Sequence, residues 1–153
     1  MARRSAGILL YRERPGGREV LLVHPGGPFW AKRDDGAWSI PKGEYGEGEE
    51  PLVAALREFE EEIGSALDHV GELVELGEVR QRNRKVVIAW AAEGDVDASA
   101  VRSNTFTMKW PPRSGQTQEF PEIDRAEWFP LARAREKLIE AQAAFVDRLE
   151  ERL

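Results

Sequence analysis

The strongest constraint on the fold is an amphipathic segment at residues 51–63, with short apolar runs on both sides of it. Its apolar side chains recur at the spacing of one buried helix face: Leu52, Leu56, Phe59 and Ile63. Pro51 suits the first position of a helix, and Gly64 suits its end. The segment therefore predicts a helix with one face against a core.

Seven short apolar runs predict strands, at residues 6–12, 19–24, 37–41, 72–79, 85–92, 105–110 and 126–129. The first two read as a hairpin, while the Gly and Pro content of residues 25–36 and 111–124 predicts loops. A helical C-terminus at residues 131–153 carries a core-facing stripe: Leu138, Ala141, Phe145 and Leu149. Strands on both sides of a helix, followed by a closing helix, predict an α/β fold with a mixed sheet covered by helices, in one domain over residues 1–153.

Composition excludes several classes of protein. The 153 residues are 41% hydrophobic and 33% charged, and no apolar run is long enough to span a bilayer, so we expect no membrane partner. The apolar run near the start is too short for a signal peptide, and the absence of cysteine fits a cytoplasmic protein. The net charge of −6 argues against bulk nucleic-acid binding, although a local basic patch can still hold an anionic ligand. A homodimer is compatible with the sequence but does not follow from it.

The predicted helix contains a cluster of like charges. At roughly 100° per residue, Glu58, Glu61 and Glu62 fall within about 100° of one another, on the side away from the apolar stripe, whereas Glu60 points elsewhere. Carboxylates at this spacing disfavour an isolated helix, but a bound divalent cation reverses the sign of their interaction. Hard oxygen ligands suit Mg²⁺, or Mn²⁺ in its place. A solvated acidic surface explains these glutamates equally well when they are considered without the flanking sequence.

Residues beside the cluster can support it. Arg57 can pair with Glu61 across one turn, or with Glu49 from the preceding loop, and so orient the carboxylates. The loop at residues 43–48 contains three glycines, which allow its backbone to approach a ligand closely.

The spacing of the whole segment is more specific than the glutamates alone. Residues 43–65 match the Nudix box, G-x5-E-x7-R-E-U-x-E-E-x-G-U with U apolar, at these positions: Gly43, Glu49, Arg57, Glu58, Phe59, Glu61, Glu62 and Gly64. Ser65 departs from the pattern, because an aliphatic residue usually stands there. Outside the box, residues 6–12, 38–43 and 126–138 also resemble Nudix hydrolases, and residues 80–118 match least.

This resemblance implies an α/β/α sandwich that hydrolyses a nucleoside diphosphate linked to another group, with a divalent metal as cofactor. It implies that Glu58, Glu61 and Glu62 are the metal ligands, that the Gly43 carbonyl adds a ligand, and that Glu49 and Arg57 support them. Attack by water on phosphorus needs charge neutralisation, in-line placement and a base for the water proton. The base is either a box glutamate or a carboxylate from a distant loop.

The loop before the last strand contains the candidates of the second kind. Many family members place an extra catalytic or metal-binding carboxylate here, and we favour Glu119 as the base, with Glu122 close behind it. Both residues are also ordinary components of a solvated loop.

Substrate-binding residues are less distinct. Lys42, beside the box, is the favoured phosphate contact. Arg80, Arg82 and Arg84 share one face if their stretch is extended, where they either meet phosphates or form a solvated strand end, the latter being favoured. Aromatic residues of the Gly/Pro loops can stack on a base, although packing is favoured for each alone: Phe29, Trp30 and Trp110. His24, which closes an apolar run, is interpreted as a structural histidine.

Two functions follow from these observations. The first is a Mg²⁺-dependent pyrophosphohydrolase of the Nudix type, acting on dinucleoside polyphosphates, nucleoside triphosphates or nucleotide sugars. The segment at residues 38–43 resembles the dinucleoside and inositol polyphosphate branch more than the nucleotide-sugar branch. The alternative is a nucleotide-sensing or protein-interaction module that keeps the fold without catalysis. Three mutually repelling carboxylates beside an arginine favour the enzyme, since a module has no physical need for them.

Overall fold

The computed structural model describes residues 3–65, 67 and 72–153. Its strands are Arg4–Arg14 (β1), Gly17–Pro25 (β2), Lys42–Glu44 (β3), Val74–Arg80 (β4), Val86–Glu93 (β5), Thr105–Lys109 (β6), Thr117–Pro121 (β7) and Ile123–Pro130 (β8). Its helices are Pro51–Ile63 (α1), Leu131–Lys137 (α2) and Ala143–Arg152 (α3). None of the helices in these ranges is long and apolar enough to cross a membrane.

The principal sheet is mixed, as the sequence predicts. Its strand order is β4-β5-β1-β2-β8, and β3 pairs with the first half of β1. β1 and β5 are parallel, while the other neighbouring strands of this sheet are antiparallel. The β1–β2 hairpin confirms the hairpin predicted at residues 6–24, with Arg14 opposite Gly17. β6 and β7 form a separate two-stranded hairpin.

Helices cover both faces of the sheet, because β1 and β2 alternate their apolar side chains between the two faces. On one face, Ile8 and Leu21 pack into a core with Phe59 and Ile63 of α1. The opposite face forms a second core with α2 and α3, whose members include Leu9, Leu22, Leu138, Phe145 and Leu149. The α/β/α sandwich predicted from the sequence is therefore confirmed.

Two predicted elements near loops are wrong in their bounds. Residues 37–41 form only isolated bridges, at Trp38 and Ser39, and the regular strand β3 begins after Pro41. Residues 111–124 are not one loop, because β7 pairs there with β6. β3 is stabilised by pairing with β1, which is distant in sequence, and β7 is the second strand of a hairpin whose Gly and Pro residues dominate the local composition.

The C-terminal helix is also interrupted. α2 ends at Lys137, Leu138 has extended backbone angles (φ −68°, ψ 148°), and a short 3₁₀ turn at Glu140–Gln142 precedes α3. Leu138 forms a bridge with Trp38, so a tertiary contact replaces the continuous helix. The predicted stripe is still inward-facing: Leu138, Phe145 and Leu149 are buried and Ala141 packs against the same core.

Candidate active site

Helix α1 ends where its geometry allows only glycine. Gly64 has a φ of 86°, and its N–H donates to the Glu60 carbonyl at 2.8 Å. A Cβ at this position would lie 2.5 Å from the Arg102 carbonyl oxygen. Gly64 thus ends the helix and leaves room for the backbone of Arg102. The last turn of α1, with its glutamates, lies beside β3.

Glu62 is directed toward β3 rather than into solvent. Its Oε1 accepts a hydrogen bond of 3.1 Å from the backbone N–H of Lys42. Burial raises the pKa of Glu62 to about 8, against the opposing effect of Lys42. A solvated acidic surface, the alternative considered from the sequence, therefore does not describe Glu62, which is half-buried against β3.

Glu58 and Gly43 touch each other where α1 meets β3. A Cβ added to Gly43 would lie 2.0 Å from Cδ of Glu58, so only glycine allows this approach. The Glu58 side chain is 17% exposed, and burial raises its pKa while the hydrogen bond from Arg57 lowers it. Gly43 thereby brings the backbone of β3 against the surface of α1 that carries Glu58, Glu61 and Glu62, which we name the glutamate face. The role of Gly43 as a metal ligand stays a prediction.

Arg57 connects the acidic residues. Its guanidinium pairs with Glu49, donates to Glu58 Oε1 at 3.1 Å, and lies 3.8 Å from Glu61 Oε1. The two pairings considered from the sequence, with Glu49 and with Glu61, are therefore both confirmed. Glu61 is 44% exposed and accessible from solvent, whereas Glu60 is exposed elsewhere on the helix.

The donor set fits a hard divalent cation in its chemistry. Across the described residues, no three acidic or histidine side chains already converge as metal ligands, because Arg57 engages Glu58 and Glu61. However, burial raises the pKa of both Glu58 and Glu62, which means that their charged forms are costly in the folded protein. A cation bound between the carboxylates would offset this cost. The close contact between Gly43 and Glu58 places the backbone of β3 beside the same carboxylates.

Glu122 is the distant carboxylate that lies near this face. It occupies the bend between β7 and β8, where its N–H donates to the Asn104 carbonyl at 2.9 Å and its carbonyl accepts from Gly26 at 2.8 Å. Its negative charge contributes to the raised pKa of Glu58 and of Glu62. Glu119 lies within β7, opposite Thr107, and both Glu119 and Glu122 are exposed.

Lys42 places a cation beside the glutamates. Burial, and then the nearby charge of Lys85, lowers the pKa of Lys42, whereas Glu62, Glu44 and Glu58 oppose this effect. Sequence reasoning missed Lys85, which precedes β5. Lys85 lies near Lys42 because β5 and β3 both pair with β1. This proximity depends on the sheet, so the sequence around Lys85 does not indicate it.

The other predicted substrate contacts lie apart from the box. Arg80 is the last residue of β4, and residues 81–85 form the turn between β4 and β5, with Arg84 at a φ of 69°. Arg82 is exposed and lies 3.6 Å from Glu140, beside the C-terminal helices. The stretch is therefore not extended, which was the condition for a shared face of Arg80, Arg82 and Arg84, and a substrate role for Arg82 or Arg84 stays a prediction.

The aromatic residues of the loops differ in exposure and in contacts: Phe29 and Trp30 are exposed, whereas Trp110 is half-buried. Phe29 and Trp110 are in edge-to-face contact with ring centroids 5.8 Å apart, and Phe29 is 66% exposed. Trp30 is 38% exposed, and the guanidinium of Arg33 lies 5.5 Å from its ring centroid. Gly27, in the same loop, packs against Phe106 of the hairpin. We name Phe29, Trp30 and Trp110 the aromatic group.

Comparisons with known proteins agree with this geometry. A family model described as "NUDIX domain" matches residues 1–149. An RNA pyrophosphohydrolase from Brucella anthropi is 30% identical over 147 residues, which cover 78% of each chain.

Solved structures show the same fold. A Caenorhabditis elegans Ap4A hydrolase in a binary complex has a TM-score of 0.67 and 21% identity, covering 96% of both chains. The NUDIX domain of Shewanella oneidensis NrtR, complexed with ADP ribose, has a TM-score of 0.63 and 15% identity, covering 99% of this chain and 88% of that one.

The fold and the box therefore define a Nudix-type pyrophosphohydrolase. The chain belongs to the NUDIX family, whose members generally use divalent metal ions.

Proposed function

We propose that this protein hydrolyses the pyrophosphate bond of a nucleoside diphosphate linked to another group, with Mg²⁺ as its cofactor and Mn²⁺ as a substitute. The observation that carries this proposal is the burial of Glu58 and Glu62 against β3, beside Lys42 and Arg57. Buried carboxylates that repel each other destabilise a fold, so they indicate a positive charge that binds there.

The ligands of this ion would be the carboxylates of Glu58, Glu61 and Glu62 and the carbonyl oxygen of Gly43. When bound, the ion would neutralise charge on the pyrophosphate and on the developing phosphorane. Arg57 supports the ligands by holding Glu58 and Glu61 in place through its guanidinium, while Glu49 holds Arg57.

The chain's own residues supply the remaining steps. A water oxygen attacks one phosphorus of the pyrophosphate, and its proton passes to a carboxylate. The bond between that phosphorus and the bridging oxygen breaks, the bridging oxygen leaves on the other phosphorus, and each of the two products carries a phosphate group. We assign Glu122 as the base in preference to Glu119, because the charge of Glu122 acts on Glu58 and Glu62. The proximity of Lys42 to Glu58 and Glu62 supports its assignment as a contact for a phosphate oxygen of the substrate.

The aromatic group supports a substrate that carries a base. Phe29 and Trp30 are exposed and can stack on a base, and the loop that holds them is joined to the Glu122 segment by the hydrogen bond from Gly26 to the Glu122 carbonyl. Dinucleoside polyphosphates, nucleoside triphosphates and the triphosphorylated 5′ end of RNA combine a base with the required anhydride. Dinucleoside polyphosphates and the 5′ end of RNA are the first substrates to test, because one relative is an RNA pyrophosphohydrolase and one structural neighbour is an Ap4A hydrolase.

A substrate panel tests this proposal. Each substrate is incubated with Mg²⁺ or with EDTA, and phosphate is measured directly or after coupling to a phosphatase. Turnover of at least one anhydride that EDTA abolishes is the expected result. Full turnover without metal would overturn the mechanism.

The alternative function is a nucleotide-sensing module that binds without hydrolysis. The structural likeness to the NrtR domain complexed with ADP ribose is the observation that favours it. Calorimetric binding of ADP ribose by wild-type protein, with no turnover of any panel substrate in Mg²⁺, would support this alternative.

A further inference from the structure

A fully buried histidine connects the two loops that flank the candidate site. His24, near the end of β2, has 0% of its surface exposed. Its Nε2 lies 2.6 Å from the carbonyl oxygen of Arg33, and its Nδ1 lies 2.8 Å from Oδ1 of Asp124. Arg33 follows Phe29 and Trp30 in the loop at residues 25–36, which we name the aromatic loop. Asp124 lies two residues after Glu122.

Both partners of the ring are hydrogen-bond acceptors. A backbone carbonyl cannot donate, so Nε2 carries a proton, and an ionised carboxylate cannot donate, so Nδ1 needs one as well. The imidazolium form is the one that donates to both atoms. A neutral ring would place the lone pair of Nδ1 against the carboxylate.

The charged surroundings of the ring are few. Asp124 from β8 faces it directly, and Arg125 from β8 lies 3.9 Å from Asp124. The indole of Trp38 meets the ring edge-to-face at 5.1 Å, and its N–H donates to Asp34, which Lys137 neutralises. Asp124 is thus the counter-ion of the ring.

The contacts around His24 join otherwise independent segments. Two residues along the chain, the N–H of Gly26 donates to the carbonyl of Glu122 at 2.8 Å. His24 and Gly26 together therefore contact Arg33 of the aromatic loop, Asp124 at the start of β8 and the backbone of Glu122. Small displacements of a base from its working position reduce rates strongly.

We propose that His24, as an imidazolium paired with Asp124, is a positioning residue that clamps the aromatic loop and the Glu122 segment to the end of β2. Its role rests on the proposed function, in which Glu122 is the base. The clamp itself is a property of the substrate-free protein.

NMR tests the clamp without any substrate. The chain has two histidines, so ¹⁵N-histidine labelling of a His69→Gln variant leaves a single ring to observe. His69 lies outside the described residues. We expect ¹⁵N shifts of a doubly protonated ring at pH 7.5, and a ring with one unprotonated nitrogen when Asp124→Asn is added. A neutral ring without the second change would overturn the proposal.

Kinetics test positioning, with Asp124→Asn as the matched control for Asp124→Ala. The amide of Asn can donate to a neutral ring and keep both contacts, whereas Ala removes one. We expect kcat to fall about tenfold in Asp124→Ala with KM within about twofold of wild type, and to fall less than about twofold in Asp124→Asn.

The comparison of the two Asp124 variants separates positioning from the loss of charge, because both variants lack the carboxylate charge and only Asn keeps the contact with the ring. Wild-type kcat in Asp124→Ala, or equal losses in both variants, would overturn the role. Failure of every panel substrate with wild-type enzyme, together with a doubly protonated ring, would instead reject the proposed function and retain the clamp.

Discussion

Glu62 should make the metal-free protein less stable as the pH rises. Its pKa in the folded protein is about 8 because of burial, compared with an ordinary value of 4.5. The folded state therefore binds the proton more tightly than the unfolded state. Stability from this group is complete below about pH 4.5 and is lost as the pH rises to about 8.

The size of this loss follows from the two pKa values. At about 1.4 kcal/mol per pH unit, raising the pKa from 4.5 to about 8 gives an upper limit of about 5 kcal/mol. Relaxation and water entry reduce the effect, so we expect about 2 kcal/mol, or about 4–8 °C in Tm for a chain of this length. Glu62→Gln removes the charge but keeps an oxygen that can accept from the Lys42 N–H.

Thermal melts in EDTA between pH 5 and pH 9 measure the effect. Wild type and Glu62→Gln should differ little at pH 5, whereas the variant should melt about 4–8 °C higher at pH 9. Glu60→Gln is the control, because Glu60 is exposed on the same helix. Parallel pH dependence of wild type and Glu62→Gln would refute the reasoning, since the buried charge would then cost nothing.

Three further substitutions, two of them with a control variant, test the site through activity. Glu61→Gln should lower kcat at least about 100-fold with the fold retained, whereas Glu60→Gln should stay within about twofold, as steady-state kinetics and circular dichroism would show. Gly43→Ala should displace Glu58, because the new Cβ would lie 2.0 Å from its Cδ, and unchanged kcat would contradict the packing. Glu122→Gln should lower kcat about 10²- to 10⁴-fold and Glu119→Gln should not; the opposite order would assign the base to Glu119.

Features set by local spacing could be predicted from the sequence. Pro51 and Gly64 bound α1 as expected, and the alternation of apolar side chains in β1 and β2 places them on both faces of the sheet. The glutamate pattern also identifies the family, because the box depends on residues within one loop and one helix.

Features set by distant contacts could not be predicted. The helix after Lys137 breaks because Leu138 bridges to Trp38, a residue far away in the sequence. Burial of Glu62 depends on where β3 meets α1, which no periodicity in the helix reveals. The choice between Glu119 and Glu122 likewise depends on which of them the fold brings near Glu58 and Glu62.

The pairing of His24 is a further example. The residue was correctly interpreted as structural, since its ring is buried and hydrogen-bonded. Its partner Asp124 lies 100 residues away, so the connection to the Glu122 segment is visible only in three dimensions.

Binding of Mn²⁺ tests the central claim, that the glutamate face is a metal site. Electron paramagnetic resonance of the free ion measures the affinity for wild type, for the single Gln variants of Glu58, Glu61 and Glu62, and for Glu60→Gln. We predict affinities at least about tenfold weaker for the first three variants, a wild-type affinity for Glu60→Gln, and displacement of Mn²⁺ by Mg²⁺. Equal affinities for wild type and all four variants would mean that the ion binds elsewhere and would contradict the account.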